Sequence, residues 1–326
     1  MRLVYLGSGE FGLPTLRALV RSHEVAAVVT QPDRPAGRSR KLTPTPVGQW
    51  AAEHLPGALL LKPEDVNDPA VVGAIRGVGA DAFVVIAFGQ KLGERLLEDV
   101  LAINLHGSLL PRWRGAAPIN HAVLAGDAVV GNSVITLAQT MDAGLVLATS
   151  SRALDPSMTA GELHDALAED GPALVLSVLE RASIGTVEGA AQDPGLVTRA
   201  GKLRKSDGVV DFGRPAEELR RRVHGLTPWP GVTVRLREES LQLMRVGVEE
   251  AGGARRAAGE VVDALGGTVA CGNGTVLRIL EVKPAGGRVM SWSEFVRGRH
   301  VQAGEMLRSG TAEDGRAREG AELGPC

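Results

Sequence analysis

The chain has 326 residues, which indicates two domains, because one hydrophobic core seldom grows beyond about 250 residues. Hydrophobic residues make up 44% and charged residues 23%, an ordinary balance for a globular protein, and the net charge of −2 argues against a nucleic-acid protein on global grounds. No apolar run reaches about 18 residues, so we expect no membrane span, and glycine breaks the first apolar segment too early for a signal peptide. The two cysteines, Cys271 and Cys326, lie far apart, so we expect no disulfide framework and predict a cytoplasmic protein.

The first half of the chain alternates short apolar segments with helical patterns. Strands are predicted at residues 2–6, 25–30, 82–87, 101–105, 133–138 and 145–149. Helices are predicted at residues 12–21, 45–54 and 161–183. Continuous apolar strands between helices are typical of a parallel sheet that is covered on both faces. The pattern therefore predicts an α/β domain with a Rossmann-like, mostly parallel sheet.

The turn after the first strand contains Gly7, Gly9 and Gly12 in the G-x-G-x-x-G pattern of dinucleotide-binding proteins. That pattern also requires an acidic residue at the end of the second strand, to bind the ribose hydroxyls. The second strand ends at Thr30, and Asp33 follows only after a proline has turned the chain. We therefore interpret the glycines as a tight strand-to-helix turn and predict no NAD site.

The second half of the chain has a different organisation. Residues 186–207 are polar, contain glycine and show little periodicity, which is typical of an interdomain linker. A helix is predicted at 215–224, and short strands are predicted at 231–236, 240–246, 258–263, 268–271 and 275–281. Short strands separated by glycine-rich turns indicate a small β-barrel. The last residues have little apolar content, and we predict that they are disordered.

Basic residues are clustered, although the net charge is small. Residues 34–52 contain four basic residues and no acidic one. The four basic residues of this segment are Arg34, Arg38, Arg40 and Lys41. A second group consists of Arg199, Lys202, Arg204 and Lys205. Arg220, Arg221 and Arg222 form a third group. By themselves such clusters are most simply explained as solvated surface.

Two polar residues lie on the predicted strand at 101–105 and just after it. Asn104 and His106 are two positions apart, so their side chains point to the same face. They lie at the carboxyl end of the strand, before Gly107, and ligands of open α/β sheets bind at this edge. A core histidine bonded to the backbone would explain His106 alone, but not the combination with Asn104 and a long loop.

Asp142 follows the strand predicted at 133–138 and precedes Ala143 and Gly144. Taken alone, an aspartate before such a pair is a turn former. Together with an asparagine and a histidine it makes a coherent set for acyl transfer to an amine. The asparagine donates to a developing oxyanion, the histidine accepts the amine proton, and the carboxylate orients the histidine and stabilises its charged form.

Residues 104–119 read NLHGSLLPRWRGAAPI and closely resemble the signature of methionyl-tRNA formyltransferases. Asn-x-His followed by Ser-Leu-Leu-Pro is also similar to the wider group of enzymes that use 10-formyltetrahydrofolate. The resemblance implies that Asn104, His106 and Asp142 are catalytic and that 10-formyltetrahydrofolate is the formyl donor, with no metal and no NAD. The residues that it implies border the folate are Ser108, Leu109, Leu110 and Pro111.

Other regions resemble the same family. Residues 31–38 and 41–47 look like its tRNA-binding loop, which recognises the unpaired end of initiator tRNA, and Arg38 matches the key arginine of that loop. The segments similar to the start of the family's C-terminal domain, an OB-like barrel, are 202–205, 210–212 and 227–231. The resemblance thus implies initiator methionyl-tRNA as the acceptor and a role in translation initiation. The residues expected to contact tRNA are Arg34, Arg38, Arg40, Lys41, Lys202, Arg204 and Lys205.

The resemblance covers about residues 1–308, with two departures. The family often shows Asp-x-Gly-x-Asp-Thr-Gly, whereas residues 142–148 read DAGLVLA and lack the second acidic residue, and the segment 8–12 is a loose match. We expect a monomer, divided into a catalytic domain at 1–188, a linker at 189–206, an OB-like tRNA-binding domain at 207–308 and a disordered tail at 309–326.

Three other functions remain open at this stage. The first is a related enzyme that formylates glycinamide ribonucleotide or an amino sugar, or that hydrolyses the folate, but the basic loop and the second domain argue against a small acceptor. The second is a non-catalytic RNA-binding protein, which would leave the polar set unexplained. The third is an NAD-dependent dehydrogenase, which titration with NADH would test.

Overall fold

Short strands and helices alternate along the first half of the computed structural model, which describes residues 1–36, 41–249 and 256–310. The strands of this half are β1 (Arg2–Gly7), β2 (Glu24–Val29), β3 (Arg34–Ala36), β4 (Lys41–Thr43), β5 (Leu59–Leu61), β6 (Ala82–Ile86), β7 (Leu101–His106), β8 (Arg114–Gly115), β9 (Val129–Thr136) and β10 (Val146–Ala153). The helices are α1 (Leu13–Ser22), α2 (Pro46–His54), α3 (Pro69–Gly77), α4 (Glu94–Leu97), α5 (Pro118–Ala125) and α6 (Ala160–Ser183).

Seven of these strands form one sheet in the order β10-β9-β7-β6-β1-β2-β5. The strands from β7 to β5 run parallel to one another, whereas β9 and β10 continue the sheet in antiparallel pairing. The prediction of a Rossmann-like, mostly parallel sheet is therefore confirmed. β5 was not predicted from the sequence, because a segment of three residues is too short to show a strand pattern.

Helices cover both faces of this sheet, which is why its strands are apolar at consecutive positions. Leu3 and Tyr5 of β1 are fully buried in a core that includes Leu163 of α6. Val4, between them, is buried in a second core that includes Ile75 of α3. Because β1, β6 and β7 run parallel, the carboxyl ends of β1 and β7 lie at the same rim of the domain.

The glycine pattern after β1 makes room for a buried tyrosine. A Cβ at Gly12 would lie 1.9 Å from the Tyr5 hydroxyl, and one at Gly7 would lie 2.7 Å from the Ile86 carbonyl oxygen. The Tyr5 hydroxyl donates to the Gly12 carbonyl at 3.0 Å, and burial raises the pKa of the phenol above its ordinary value. These contacts give both glycines a packing role in a tight turn.

The described residues of the second half form antiparallel strands, two α-helices and a two-residue strand that pairs in parallel with β8. Its strands are β11 (Arg199–Ala200), β12 (Val232–Leu236), β13 (Glu239–Glu249), β14 (Val261–Asp263), β15 (Thr268–Ala270), β16 (Val276–Pro284), β17 (Met290–Ser291) and β18 (Leu307–Ser309). Its helices are α7 (Ala216–Gly225) and α8 (Trp292–Arg299). The strands order as β14-β15-β16-β13-β12-β18, with β17 beside β16, in a curled half-barrel that confirms the predicted smaller β domain.

The two halves are joined by hydrogen bonds from α7 to backbone carbonyls of the first half. Arg221 donates to the carbonyl of Ala125 at the end of α5, over 3.1 Å. The buried His224 ring contacts the Pro156 carbonyl through Nδ1 and accepts from the Val246 N–H through Nε2, each over 3.2 Å. The half-barrel is thus held directly against the α/β domain, as well as through the chain between them.

A membrane-spanning helix and a cluster of metal ligands are both absent from the described ranges. No helix within them has the length and apolar character needed to cross a membrane. Within the same ranges, histidine, cysteine, aspartate and glutamate side chains form no group of three or more that could bind a metal ion.

Candidate active site

β7 carries Asn104 and His106 to the carboxyl-end rim of the sheet. The strand lies between β6 and β9, and the backbone of His106 is paired with Ser133 of β9. His106 is 7% exposed, and Asn104 is half-buried. Within the described part of the chain, the Asn104 side-chain amide makes no hydrogen bond. Its N–H groups are therefore available to a ligand at the rim.

A backbone carbonyl determines which nitrogen of His106 carries the proton. Nε2 lies 2.9 Å from the carbonyl oxygen of Trp113, and because a carbonyl can only accept, Nε2 is the protonated nitrogen. In the neutral ring Nδ1 is then a free acceptor. Nδ1 lies 3.8 Å from Oδ2 of Asp142, which is too long for a hydrogen bond but close enough to stabilise a charged ring.

Asp142 lies in the turn between β9 and β10, with its side chain largely buried. Its backbone is in the left-handed region, with φ of 54°. Its Oδ2 atom accepts from the N–H of Gly115 on β8, over 2.8 Å. Position 115 requires glycine, because its φ is 127° and a Cβ would lie 2.4 Å from the carbonyl oxygen of Ala200. The carboxylate is therefore fixed by backbone contacts on the side facing His106.

The loop after β7 is held by hydroxyl groups, and it contains all four residues expected to border the folate. Ser108 Oγ donates to the Arg112 carbonyl over 2.7 Å, which closes the loop on itself. Ser133 Oγ donates to the Ser108 carbonyl over 2.7 Å and accepts from the Leu110 N–H over 3.0 Å. Ser108 and Leu110 are buried. The residues of the predicted folate set that are partly exposed are Leu109 and Pro111.

The basic loop after β2 contains a short antiparallel hairpin, formed by β3 and β4. Arg34 is exposed and makes an ion pair with Glu64 over 2.7 Å, and Lys41 is exposed on β4. The other two predicted tRNA contacts of this loop, Arg38 and Arg40, lie outside the described residues. The described part of the hairpin thus presents cationic side chains to solvent next to the rim.

A hydroxyl network joins both ends of this loop to the turn after β1. Thr30, at the end of β2, contacts Ser8 over 3.3 Å and Thr45 over 2.5 Å through its hydroxyl. Thr45 also caps α2, and Gln31 donates from its backbone to Ser8 over 3.0 Å. The loop therefore starts and ends at one buried point of the rim.

The second predicted basic group begins with Arg199 in β11, which pairs with β8 beside the site, and its other members follow this strand. Lys202 and Arg204 are exposed, and Lys205 is half-buried. The preceding Gly201 carbonyl accepts from Nε2 of His121 on α5, over 3.1 Å. The structure therefore brings this group close to the α/β domain, on the side of the rim formed by β8 and α5.

Four residues of this geometry were not predicted from the sequence. They are Trp113 and Gly115, described above, Gln192, whose side chain donates to the Asp142 carbonyl, and Thr198, whose hydroxyl accepts from the Trp113 N–H. Each contact involves a backbone atom. Gly115 had a detectable signal, as a glycine inside a basic and aromatic segment. The other three residues show no such signal, because a contact that a side chain or a carbonyl makes with another segment of the chain leaves no local sequence pattern.

Comparison with known families gives two matches that together span most of the chain. The family described as "Formyl transferase" matches residues 1–179, and "Formyl transferase, C-terminal domain" matches residues 202–300. The methionyl-tRNA formyltransferase of Symbiobacterium thermophilum is 40% identical over 310 residues, which cover 93% of this chain and 94% of that protein. The methionyl-tRNA formyltransferase of Pseudomonas fluorescens is 39% identical over 304 residues, covering 92% and 94%.

Solved structures share the fold at lower identity. HypX from Aquifex aeolicus, in complex with tetrahydrofolic acid, superimposes with a TM-score of 0.60 at 17% identity, covering 91% of this chain and 47% of that one. The sugar 3N-formyl transferase WlaRD, crystallised with dTDP and 5-N-formyl-THF, gives a TM-score of 0.65 at 11% identity, covering 86% and 97%. At these identities the likeness concerns the fold.

Proposed function

The chain belongs to the methionyl-tRNA formyltransferase family, and we propose that Asn104, His106 and Asp142 form the site at which it transfers the formyl group of 10-formyltetrahydrofolate to the α-amino group of methionyl-tRNA. One observation supports this assignment: Asn104 and His106 lie two positions apart at the carboxyl end of β7, and Nδ1 of His106 is 3.8 Å from Oδ2 of Asp142. Parallel α/β sheets bind their ligands at this rim.

The proposed reaction begins with attack of the neutral α-amino group on the formyl carbon. A new C–N bond forms, and the carbonyl oxygen becomes an oxyanion that accepts from the Asn104 amide. Nδ1 of His106 takes the amine proton, because Nε2 already carries one against the Trp113 carbonyl. The charged ring then faces the Asp142 carboxylate.

The second step breaks the bond between the formyl carbon and N10 of the folate. His106 returns the proton to N10, the oxyanion collapses to a carbonyl, and formyl-methionyl-tRNA and tetrahydrofolate leave. No side-chain nucleophile is needed, since the amine of the acceptor attacks directly. The sequence 108–111 would border the donor, with Leu109 and Pro111 partly exposed and the Ser108 hydroxyl holding the loop.

The acceptor is proposed to be the initiator tRNA, bound by backbone contacts to its phosphates. Arg34 pairs with Glu64 between two exposed side chains, and such pairs contribute little to stability, so a phosphate can replace Glu64. The full set of proposed tRNA contacts is Arg34, Arg38, Arg40, Lys41, Lys202, Arg204 and Lys205. With this substrate we propose a monomeric, cytoplasmic enzyme with a catalytic domain at 1–188, a linker at 189–206 and a tRNA-binding domain at 207–308.

The direct test is an assay of the purified protein with 10-formyltetrahydrofolate and methionyl-tRNA that follows formyl-methionine. We expect the initiator species to be formylated faster than the elongator species. Without the Nδ1 base, His106→Ala should lower kcat by a factor of roughly 10² to 10⁴ while leaving folate binding nearly intact. Formylation of a small amine at the same rate as methionyl-tRNA would contradict the acceptor, and an unchanged kcat of the variant would remove His106 from the mechanism.

A further inference from the structure

Residues 190–201, predicted as part of a linker, run along the rim of the site and pair with two of its loops. The backbone of Ala190 exchanges hydrogen bonds of 2.8 and 2.9 Å with Val146, next to the turn that carries Asp142. Further along, β11 pairs in parallel with β8, which contains Gly115. This segment, called the rim segment below, is therefore fixed at both ends to the walls of the site.

One side chain of the rim segment connects the parts that hold Asp142. Nε2 of Gln192 donates to the carbonyl oxygens of Asp142 and Gly144, each over 2.8 Å. Its Oε1 accepts from Nε of Arg114 over 2.9 Å. Arg114 precedes Gly115, whose N–H binds the Asp142 carboxylate. A single amide thus fixes the Asp142 turn relative to the strand that holds its carboxylate.

The rim segment also supports two residues in an unfavourable backbone conformation. Asp142 has φ of 54° and Trp113 has φ of 62°, in the left-handed region that non-glycine residues seldom adopt, although aspartate adopts it more often than tryptophan does. The Asp142 carbonyl is bound by Gln192, and the Trp113 N–H donates to the hydroxyl of Thr198 over 2.8 Å. These contacts bind the two turns whose polar groups, the Asp142 carboxylate and the Trp113 carbonyl, lie next to His106.

We propose that Gln192 is a positioning residue for the transfer reaction, acting from outside the expected catalytic domain. This inference rests on the proposed function of Asp142. Gln192 bonds to backbone and to Arg114, and it acts through Asp142. Without its two donors the Asp142 turn loses the contacts that hold its carbonyls, and the carboxylate moves from its place beside Nδ1. The charged ring that forms during transfer is then less stabilised, so kcat falls while substrate binding is retained.

The first test is kcat and KM for Gln192→Leu and Gln192→Glu in the full chain. Leucine keeps the volume and removes all three hydrogen bonds, and we expect kcat to fall by about 10-fold to 100-fold, with KM for 10-formyltetrahydrofolate within about two-fold of wild type. Glutamate keeps the acceptor for Arg114 but loses both donors, so it should lose activity to a similar extent. It also keeps the proposal testable if the leucine variant folds poorly.

The neighbouring Asp193 provides a matched control. Its side chain is exposed and accepts from the Gly195 N–H within the same turn. Asp193→Asn retains that acceptor and should keep wild-type kcat. A wild-type kcat in Gln192→Leu, or a rise in KM with kcat unchanged, would overturn the proposal.

A double variant separates positioning from a general structural effect. If Gln192 acts through Asp142, then Asp142→Asn with Gln192→Leu should have the same kcat as Asp142→Asn alone. If the losses multiply, Gln192 acts by another route and the proposal is wrong. Failure of the proposed function would look different, because the wild-type protein itself would then not formylate methionyl-tRNA.

Discussion

At the scale of single residues, the unexpected feature is the partner of His106. Asp142 was predicted to orient this ring. In the structure, Nε2 donates to the carbonyl of Trp113, and Asp142 lies 3.8 Å from Nδ1, the other ring nitrogen. In the proposed reaction, this arrangement makes Nδ1 the base and lets the carboxylate stabilise the charged ring. The residue types were readable in the sequence. The Trp113 carbonyl was not, because every residue has one.

Asn104 offers a prediction at the same scale. Its amide has no hydrogen-bond partner within the described residues, so we expect it to bind the oxyanion in the transition state. Asn104→Ala should lower kcat by about 10² to 10³ with little change in KM for the donor, as measured by steady-state formylation. A raised KM with an unchanged kcat would show instead that Asn104 binds the ground-state carbonyl.

At the scale of elements, the two ends of the basic loop are held together at one point of the rim. Its first and last residues meet in the buried hydroxyl contacts among Ser8, Thr30 and Thr45. A basic tRNA-binding loop was predicted from the sequence, but the β3–β4 hairpin and its hydroxyl contacts to the rim were not. Strands of three residues are too short for a periodic signal, and hydroxyl contacts between separate segments follow from their packing.

The loop prediction concerns Arg38, which lies outside the described residues. Arg38→Ala should lower kcat/KM for methionyl-tRNA by about 10-fold to 100-fold, the effect of one lost charge-assisted contact, and should reduce the salt dependence of tRNA binding. Formylation of a small amine, measured in parallel, should not change. The exposed Arg95 of α4 is the matched control, and Arg95→Ala should match wild type. Equal losses with both acceptors would place Arg38 in the chemistry.

At the scale of the whole molecule, a buried histidine links the half-barrel to the α/β domain. His224 of α7 is fully buried, with Nδ1 facing the Pro156 carbonyl and Nε2 accepting from Val246. Burial lowers the pKa of His224, as do the charges of Arg220 and Arg245, against opposing effects of the Pro156 carbonyl and Glu162. Protonation of Nε2 would remove the acceptor for Val246. The neutral ring is therefore part of the folded interface.

The lowered pKa of His224 gives a pH dependence with a definite sign. In the unfolded chain the pKa of a histidine is about 6.5. Below that pH the unfolded state binds a proton that the folded state, with its lowered pKa, does not yet bind. This residue should thus lower the free energy of unfolding as pH falls from about 6.5 toward its folded pKa, by at most about 1.4 kcal/mol per pH unit. Above that range it makes no pH-dependent contribution.

The measurement compares wild type with His224→Gln by urea unfolding at pH 7.5 and 5.5, values chosen on either side of about 6.5. Glutamine retains one donor and one acceptor but does not titrate. The difference in the free energy of unfolding between the two proteins should shift in favour of the variant at the lower pH. All other titrating groups are the same in the two proteins. A difference in the free energy of unfolding that does not change with pH would therefore contradict a neutral His224 ring in the folded state.

The sequence by itself determined the features that depend on local order: the apolar runs of a parallel sheet, the glycine turn after β1, the small β domain and the polar residues at the end of β7. Strand and helix periodicities and turn chemistry act over a few neighbouring residues, so they can be read directly. The tertiary structure decided the rest. Gln192 contacts Asp142, 50 positions away in the sequence, and Thr198 contacts Trp113, 85 positions away. Through these contacts the polar rim segment forms a wall of the site. Such contacts arise when packed elements bring distant backbones together, and no local pattern encodes them.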